Sequence, residues 1–109
     1  MIFGGYRTVW VLVMFDLPMD SPRARKAYSD FRKGLLLDGF AMMQFSVYIR
    51  HCPSEENADL HAKRIKAVLP DDGEVRILLI TDKQFGRIKV FQGKIRKAPE
   101  KAPQQLMLF

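Results

Sequence analysis

The hydrophobic pattern of the chain is dominated by one unbroken apolar run, Val9-Trp10-Val11-Leu12-Val13-Met14-Phe15, which ends in a single carboxylate, Asp16. Its β-branched and aromatic content favours strand, and apolarity at both parities predicts a strand covered on both faces, in the middle of a sheet. Pro18 cannot donate to a ladder and biases Leu17 towards an extended backbone, so pairing should stop close to Asp16. Strand parity places Asp16 on one face with Trp10, Leu12 and Met14, and Val9, Val11, Val13 and Phe15 on the other. Read alone, Asp16 is as good a turn-making aspartate as a functional one.

Helical spacing follows. Ser21-Pro22 reads as an N-cap with proline at the first helical position. Ala24, Ala27, Tyr28, Phe31 and Leu35 then form one apolar stripe, and Gly39 supplies a left-handed stop. Off the stripe stand Arg23, Arg25, Lys26, Arg32 and Lys33, which suit either a solvated face or a phosphate-contacting one. Arg23 and Arg25 lie in the first turn, where the helix dipole disfavours cations unless an anion meets them. Residues 40–50 alternate like a strand, with Met43, Phe45, Val47 and Ile49 on one side and Gln44, Ser46, Tyr48 and Arg50 on the other. That is long against the usual ~5–6 residues, so a reversal near residues 44–46 is an open alternative.

A second helix opens at Ser54 with Glu55 and Glu56, carries Ala58, Ala62, Ile65 and Leu69, and stops at Pro70. Glu74 to Ile80 reads as a strand whose Leu78-Leu79-Ile80 end predicts two covered faces. Residues 81–86 read as a capped turn. Arg87 to Gln92 alternates like a half-exposed edge strand. From Gly93 the composition changes: Lys94, Arg96, Lys97 and Lys101, with Pro99 and Pro103, describe a basic segment ending in Leu106, Met107, Leu108 and Phe109, an apolar end suited to docking. The chain thus divides into a domain at residues 1–93 and a tail at residues 94–109.

Composition narrows the function classes. The 109 residues make one domain with a single core, and the net charge of +6 draws the chain towards polyanions, nucleic acid first. No apolar run approaches the ~20 residues of a membrane span. One cysteine, Cys52, excludes an internal disulfide and suits a reducing cytoplasm. His51, Cys52 and His61 supply only three ligands without paired spacing, which argues against a zinc site.

The element order predicts an α+β sandwich with its helices on one sheet face. The opposite face would then expose Trp10, Leu12 and Met14, and a second copy related by a two-fold axis is the simplest cover. Such a dimer would bring two Asp16 carboxylates together, for which a hard divalent ion such as Mg²⁺ (or Mn²⁺) is the natural counter-charge.

These residues resemble the CRISPR-associated protein two family. The match lies in Val13-Met14-Phe15-Asp16-Leu17-Pro18, the basic turn Pro22-Arg23-Ala24-Arg25, Gly39-Phe40, Gln44-Phe45-Ser46-Val47-Tyr48, Val75-Arg76-Ile77 and Ile80-Thr81-Asp82-Lys83-Gln84-Phe85. The ending Gln105 to Phe109 is similar to tails of members that accompany a single RNA-guided effector nuclease. The resemblance implies a ferredoxin-like βαββαβ fold, with residues 40–50 divided into two strands and a late strand at residues 87–92 crossing to a partner's sheet. It implies a symmetric homodimer at the centre of the spacer-acquisition complex, bridging dimers of the CRISPR-associated protein one integrase and holding duplex prespacer DNA. It further implies a metal-dependent endonuclease acting on RNA or DNA, with Asp16 as the metal-binding, catalytic residue. Arg23, Arg25 and Tyr48 match positions linked with nucleic-acid contact or activity. Lys26, Arg76, Arg87 and Lys89 join them as basic residues suited to phosphates. Two departures stand out: Phe15 replaces a common tyrosine, and Met42 replaces a frequent basic residue. No His or Glu is evident as a general base. The alternative is an RRM-type single-strand RNA-binding module, which would need a Lys/Arg-Gly-Phe/Tyr stretch on a strand that this chain lacks.

Overall fold

The structure is a computed structural model and describes residues 8–93. The apolar run forms strand β1 (Val9–Asp16), paired antiparallel along both edges. It is followed by α1 (Pro22–Leu37), β2 (Ala41–Gln44), β3 (Val47–Cys52), α2 (Glu55–Ala67), β4 (Glu74–Thr81) and the one-turn α3 (Asp82–Phe85). The sheet runs β2-β3-β1-β4, all antiparallel, which is the ferredoxin-like α+β arrangement expected. Local chemistry sets the boundaries. Ser21 Oγ accepts the Ala24 N–H at 3.0 Å, and Ser54 Oγ accepts that of Asn57 at 3.1 Å. Thr81 and Gln84 close a reciprocal capping box that starts α3.

Both long helices pack on one face. Val9, Val11, Val13 and Phe15 meet Tyr28, Phe31 and Leu35 of α1 and Ala58 and Ile65 of α2. Phe15 is the hub, with Phe31 edge-on at 5.2 Å and Tyr48 stacked at 5.7 Å. Burying each such ring stabilises the fold by about 1.5–3 kcal/mol.

Residues 40–50 are two strands, as the resemblance implies, reversing at Phe45-Ser46, and Ser46 takes φ +60 without a glycine to mark it. Other expectations are corrected. Trp10 and Leu12 are buried with Ile49 instead of forming an open patch, and Met14 is half-buried. The cover is α3: Phe85 stacks on Trp10 at 4.1 Å, and the Trp10 indole N–H donates to Asp82 at 2.8 Å. β4 is an edge strand, so Leu78 and Leu79 are exposed rather than covered. Among the described residues of the single chain, residues 87–92 pair with no strand, and Val90 and Phe91 are exposed; the pairing that the resemblance implies for them is with a partner's sheet. α2 stops at Ala67, short of Leu69, and His61 takes a buried place on its inner face. The expected docking residues Leu106, Met107, Leu108 and Phe109 lie outside the described residues.

Candidate functional site

Asp16 is the last residue of β1, and its position follows from strand parity. The strand is anchored by its buried odd-numbered side chains, so Asp16 is delivered to the rim on the helix-free face, exposed, where pairing ends before Pro18. Its carboxylate has no hydrogen-bond or ion-pair partner among the described residues. Directly across the ladder stands Glu74, with Arg76 opposite Met14. Arg76 donates to Glu74 at 3.0 Å, both exposed, so the pair adds little stability but holds a second carboxylate beside Asp16. Sequence reasoning found no Glu near Asp16; the antiparallel register supplies one, and register was the signal that could have shown it. Gly73, at φ +94, lets the turn before β4 press against β1: a Cβ there would sit 2.7 Å from the Asp16 carbonyl oxygen. Among the described residues of one chain, no three His, Cys, Asp or Glu side chains converge to hold a metal ion.

The basic first turn of α1 begins at the same end of the sheet. Arg23 is exposed, with its guanidinium unpaired among the described residues, on the rim of a cavity of about 290 Å³ lined by Leu17, Pro18, Asp20 and Tyr28. Arg25 donates to the Met19 carbonyl at 3.2 Å, which folds it over the β1–α1 connection. Lys26 is tied to Asp30 at 2.8 Å, a hydrogen bond that raises the lysine and lowers the aspartate from their ordinary pKa values. Tyr48 is corrected outright: at 1% exposed it is a core residue against Phe15, not a surface contact. Arg87 and Lys89 follow α3, whose cap Thr81 pairs with Val9 at the opposite end of β1 from Asp16. One chain therefore gathers Asp16, Arg23, Arg25 and Arg76 at one end and leaves Arg87 and Lys89 at the other.

Sequence reasoning also missed Asp38. It follows α1 and accepts from buried His61 at 2.7 Å and from Arg64 at 2.9 Å, while its backbone carbonyl accepts from Arg50 at 3.0 Å. Burial works against its charge, but the bonds to His61 and Arg64 outweigh it and hold the carboxyl below its ordinary pKa.

Comparison with known proteins settles the family. The family model described as CRISPR associated protein Cas2 matches residues 9–88. The chain belongs to the Cas2 family. A protein of Parvibaculum lavamentivorans named CRISPR-associated endoribonuclease Cas2 is 63% identical over 101 residues, covering 93% of this chain and 100% of that protein. One of the same name from Flavobacterium psychrophilum is 53% identical, covering 95% and 90%. The crystal structure of Streptococcus pyogenes Cas2 at pH 6.5 superposes with a TM-score of 0.57 at 22% identity, covering 76% of this chain and 99% of that one, a likeness of fold. The Cas2 match takes in Asp16, the first turn of α1 and Arg76, and stops short of Lys89. No helix among the described residues is long and apolar enough to cross a membrane.

Proposed function

We propose that this Cas2-family chain acts as a symmetric homodimer in CRISPR spacer acquisition, bridging integrase dimers and holding duplex prespacer DNA, and that it hydrolyses phosphodiesters, in RNA or DNA, at a Mg²⁺ (or Mn²⁺) ion shared by two Asp16 carboxylates. The observation that carries the hydrolytic reading is the state of Asp16: an exposed carboxylate without a partner, fixed by a buried strand, in a chain whose relatives are named endoribonucleases. One Asp16 and its neighbour Glu74 are too few ligands for an ion alone, which suits a site completed by a second copy, water and a substrate phosphate. When bound, the ion would acidify a water and neutralise charge developing on the phosphate. The chain's own part is to hold Asp16 at the rim, to place Glu74 where it can accept a proton from that water, and to meet the strand's phosphates with Arg23 and Arg25.

The acquisition role needs no chemistry. It draws on the same arginines, on Lys26, Arg76, Arg87 and Lys89, and on the tail at residues 94–109, whose Leu106 to Phe109 end would dock on the integrase. Duplex binding should then weaken steeply with salt. The test of the hydrolytic reading is Asp16→Ala, assayed for Mg²⁺-dependent cleavage with the association state followed by light scattering. Cleavage should disappear while association is unchanged; cleavage that persists at the parent rate overturns the reading.

A further inference from the structure

The reversal between β2 and β3 carries a feature that strand and core do not explain. Phe45 is 72% exposed, the ring standing at the tip of a tight turn. Isolated surface aromatics are common and need no account. This one is held. The turn beneath it is fixed by the Phe15 N–H, which donates to the Ser46 carbonyl at 3.0 Å, and by a 3.0 Å hydrogen bond between the Tyr28 and Ser46 hydroxyls. The ring itself stacks on Tyr28, centroids 6.1 Å apart and planes 21° from parallel. One face is thus occupied by a neighbour that sets its orientation, and the residue remains largely open to solvent.

Its surroundings are basic and close to Asp16. Val47 pairs with Met14, so Phe45 and Ser46 reach beyond the ladder alongside Phe15 and Asp16. On α1, Arg25 and Arg32 stand three residues before and four after Tyr28, the spacings that put side chains on one helix face. An oriented aromatic ring at the rim that carries the candidate ligand, with Arg25 (held by the Met19 carbonyl) and Arg32 one helical turn to either side of Tyr28, has the composition of a single-strand platform: a ring for a base, cations for the neighbouring phosphates.

We propose that Phe45 is a stacking platform for an unpaired nucleobase of single-stranded RNA, with Arg25 and Arg32 contacting the neighbouring phosphates. This rests on the hydrolytic reading of Asp16 for its purpose, but not for its measurement. Stacking is read with a single-stranded RNA carrying 2-aminopurine, in Asp16→Ala protein without divalent metal, so that no cleavage intervenes. The parent should quench the probe on binding. Phe45→Ala should lose the quench and weaken binding about tenfold, Phe45→Trp should keep both, and Phe45→Leu should behave like alanine. A blunt duplex offers no unpaired base, and its affinity should be the same for all four. Equal quenching and affinity in Phe45→Ala overturns the platform, as does a leucine variant that binds as tightly as tryptophan, or a parent that does not quench. Cleavage by protein with Asp16 intact is followed separately: its absence would defeat the hydrolytic reading while the quenching result still decides the platform.

Discussion

Two aspartates at the ends of neighbouring elements differ in almost everything but residue type. Asp38 closes α1 and is used up by the fold: His61 and Arg64 occupy its two oxygens, and Arg50 takes its backbone carbonyl. It joins α1, α2 and β3 at one point. Asp16 closes β1 and its side chain is used by nothing among the described residues. A carboxylate whose bonds are all internal is part of the scaffold; one delivered bare to a rim by a buried strand is available to something else. The contrast separates structural from functional charge better than the sequence could, since Asp16 read equally as a turn-maker and Asp38 carried no signal at all.

Paired substitutions test that separation, with the largest effect on chemistry. Asp16→Ala should remove metal-dependent cleavage altogether and leave the thermal midpoint almost unmoved, as exposed substitutions without partners usually do. Asp38→Ala should do the reverse. With His61 only 4% exposed, losing its partner strands a buried ring nitrogen, and about 2 kcal/mol of stability should go, a fall of roughly 10 °C in the midpoint. Its metal-dependent cleavage below the transition should match the parent's. An Asp38 variant that melts normally, or an Asp16 variant that melts early, would erase the distinction.

How far each region was legible follows from the range of the interactions involved. β1, the caps at Ser21, Ser54 and Thr81, and the stripe Tyr28, Phe31, Leu35 depend on residues within one or two turns, and they stand where pattern reading puts them. Asp16 was legible as a strand-end carboxylate for the same reason. Glu74 beside it was not, because that proximity comes from register between strands far apart in sequence. Tyr48 entered through the resemblance, and its burial was not legible because alternation through residues 40–50 hides the reversal at Ser46, which carries φ +60 without the glycine that would announce it. Trp10 was misread as open because one turn of helix, α3, folds back over it through contacts to Phe85 and Asp82, more than seventy residues along, and Leu12 is buried in the same cluster with Ile49. His61 looked like a stray ligand; only the meeting of α2 with the end of α1 reveals Asp38 as its partner.

Gly73 is where the two kinds of region touch, and its substitution should produce a smaller, mixed effect. At φ +94 an alanine is strained, and its Cβ would press on the Asp16 carbonyl oxygen and on Leu17 at 2.7 Å. Gly73→Ala should cost about 1–2 kcal/mol and, unlike Asp38→Ala, should also depress cleavage, because the displaced backbone is that of Asp16 itself. Denaturant midpoints and cleavage rates measured on one preparation check this. A loss of stability with the full rate retained would mean that Asp16 tolerates movement of its strand end.

The smallest expected effect is in the acid limb of stability. The folded-state pKa of Asp38 lies below its ordinary value of 3.8, so as the pH falls the unfolded chain takes up that proton first. The contribution of Asp38 to stability is therefore complete above its unfolded value and declines as the pH drops through the folded one. Asp30 is lowered as well, by its hydrogen bond with Lys26, but it is present in parent and variant alike and cancels in their difference. Asp38→Asn should accordingly be less stable than the parent above about pH 5, with the gap between their urea midpoints narrowing towards pH 3 as the parent loses what the variant never had. A gap that stays constant across that range would show that Asp38 acts through packing and neutral hydrogen bonds alone, and would leave the contrast with Asp16 resting on exposure rather than charge.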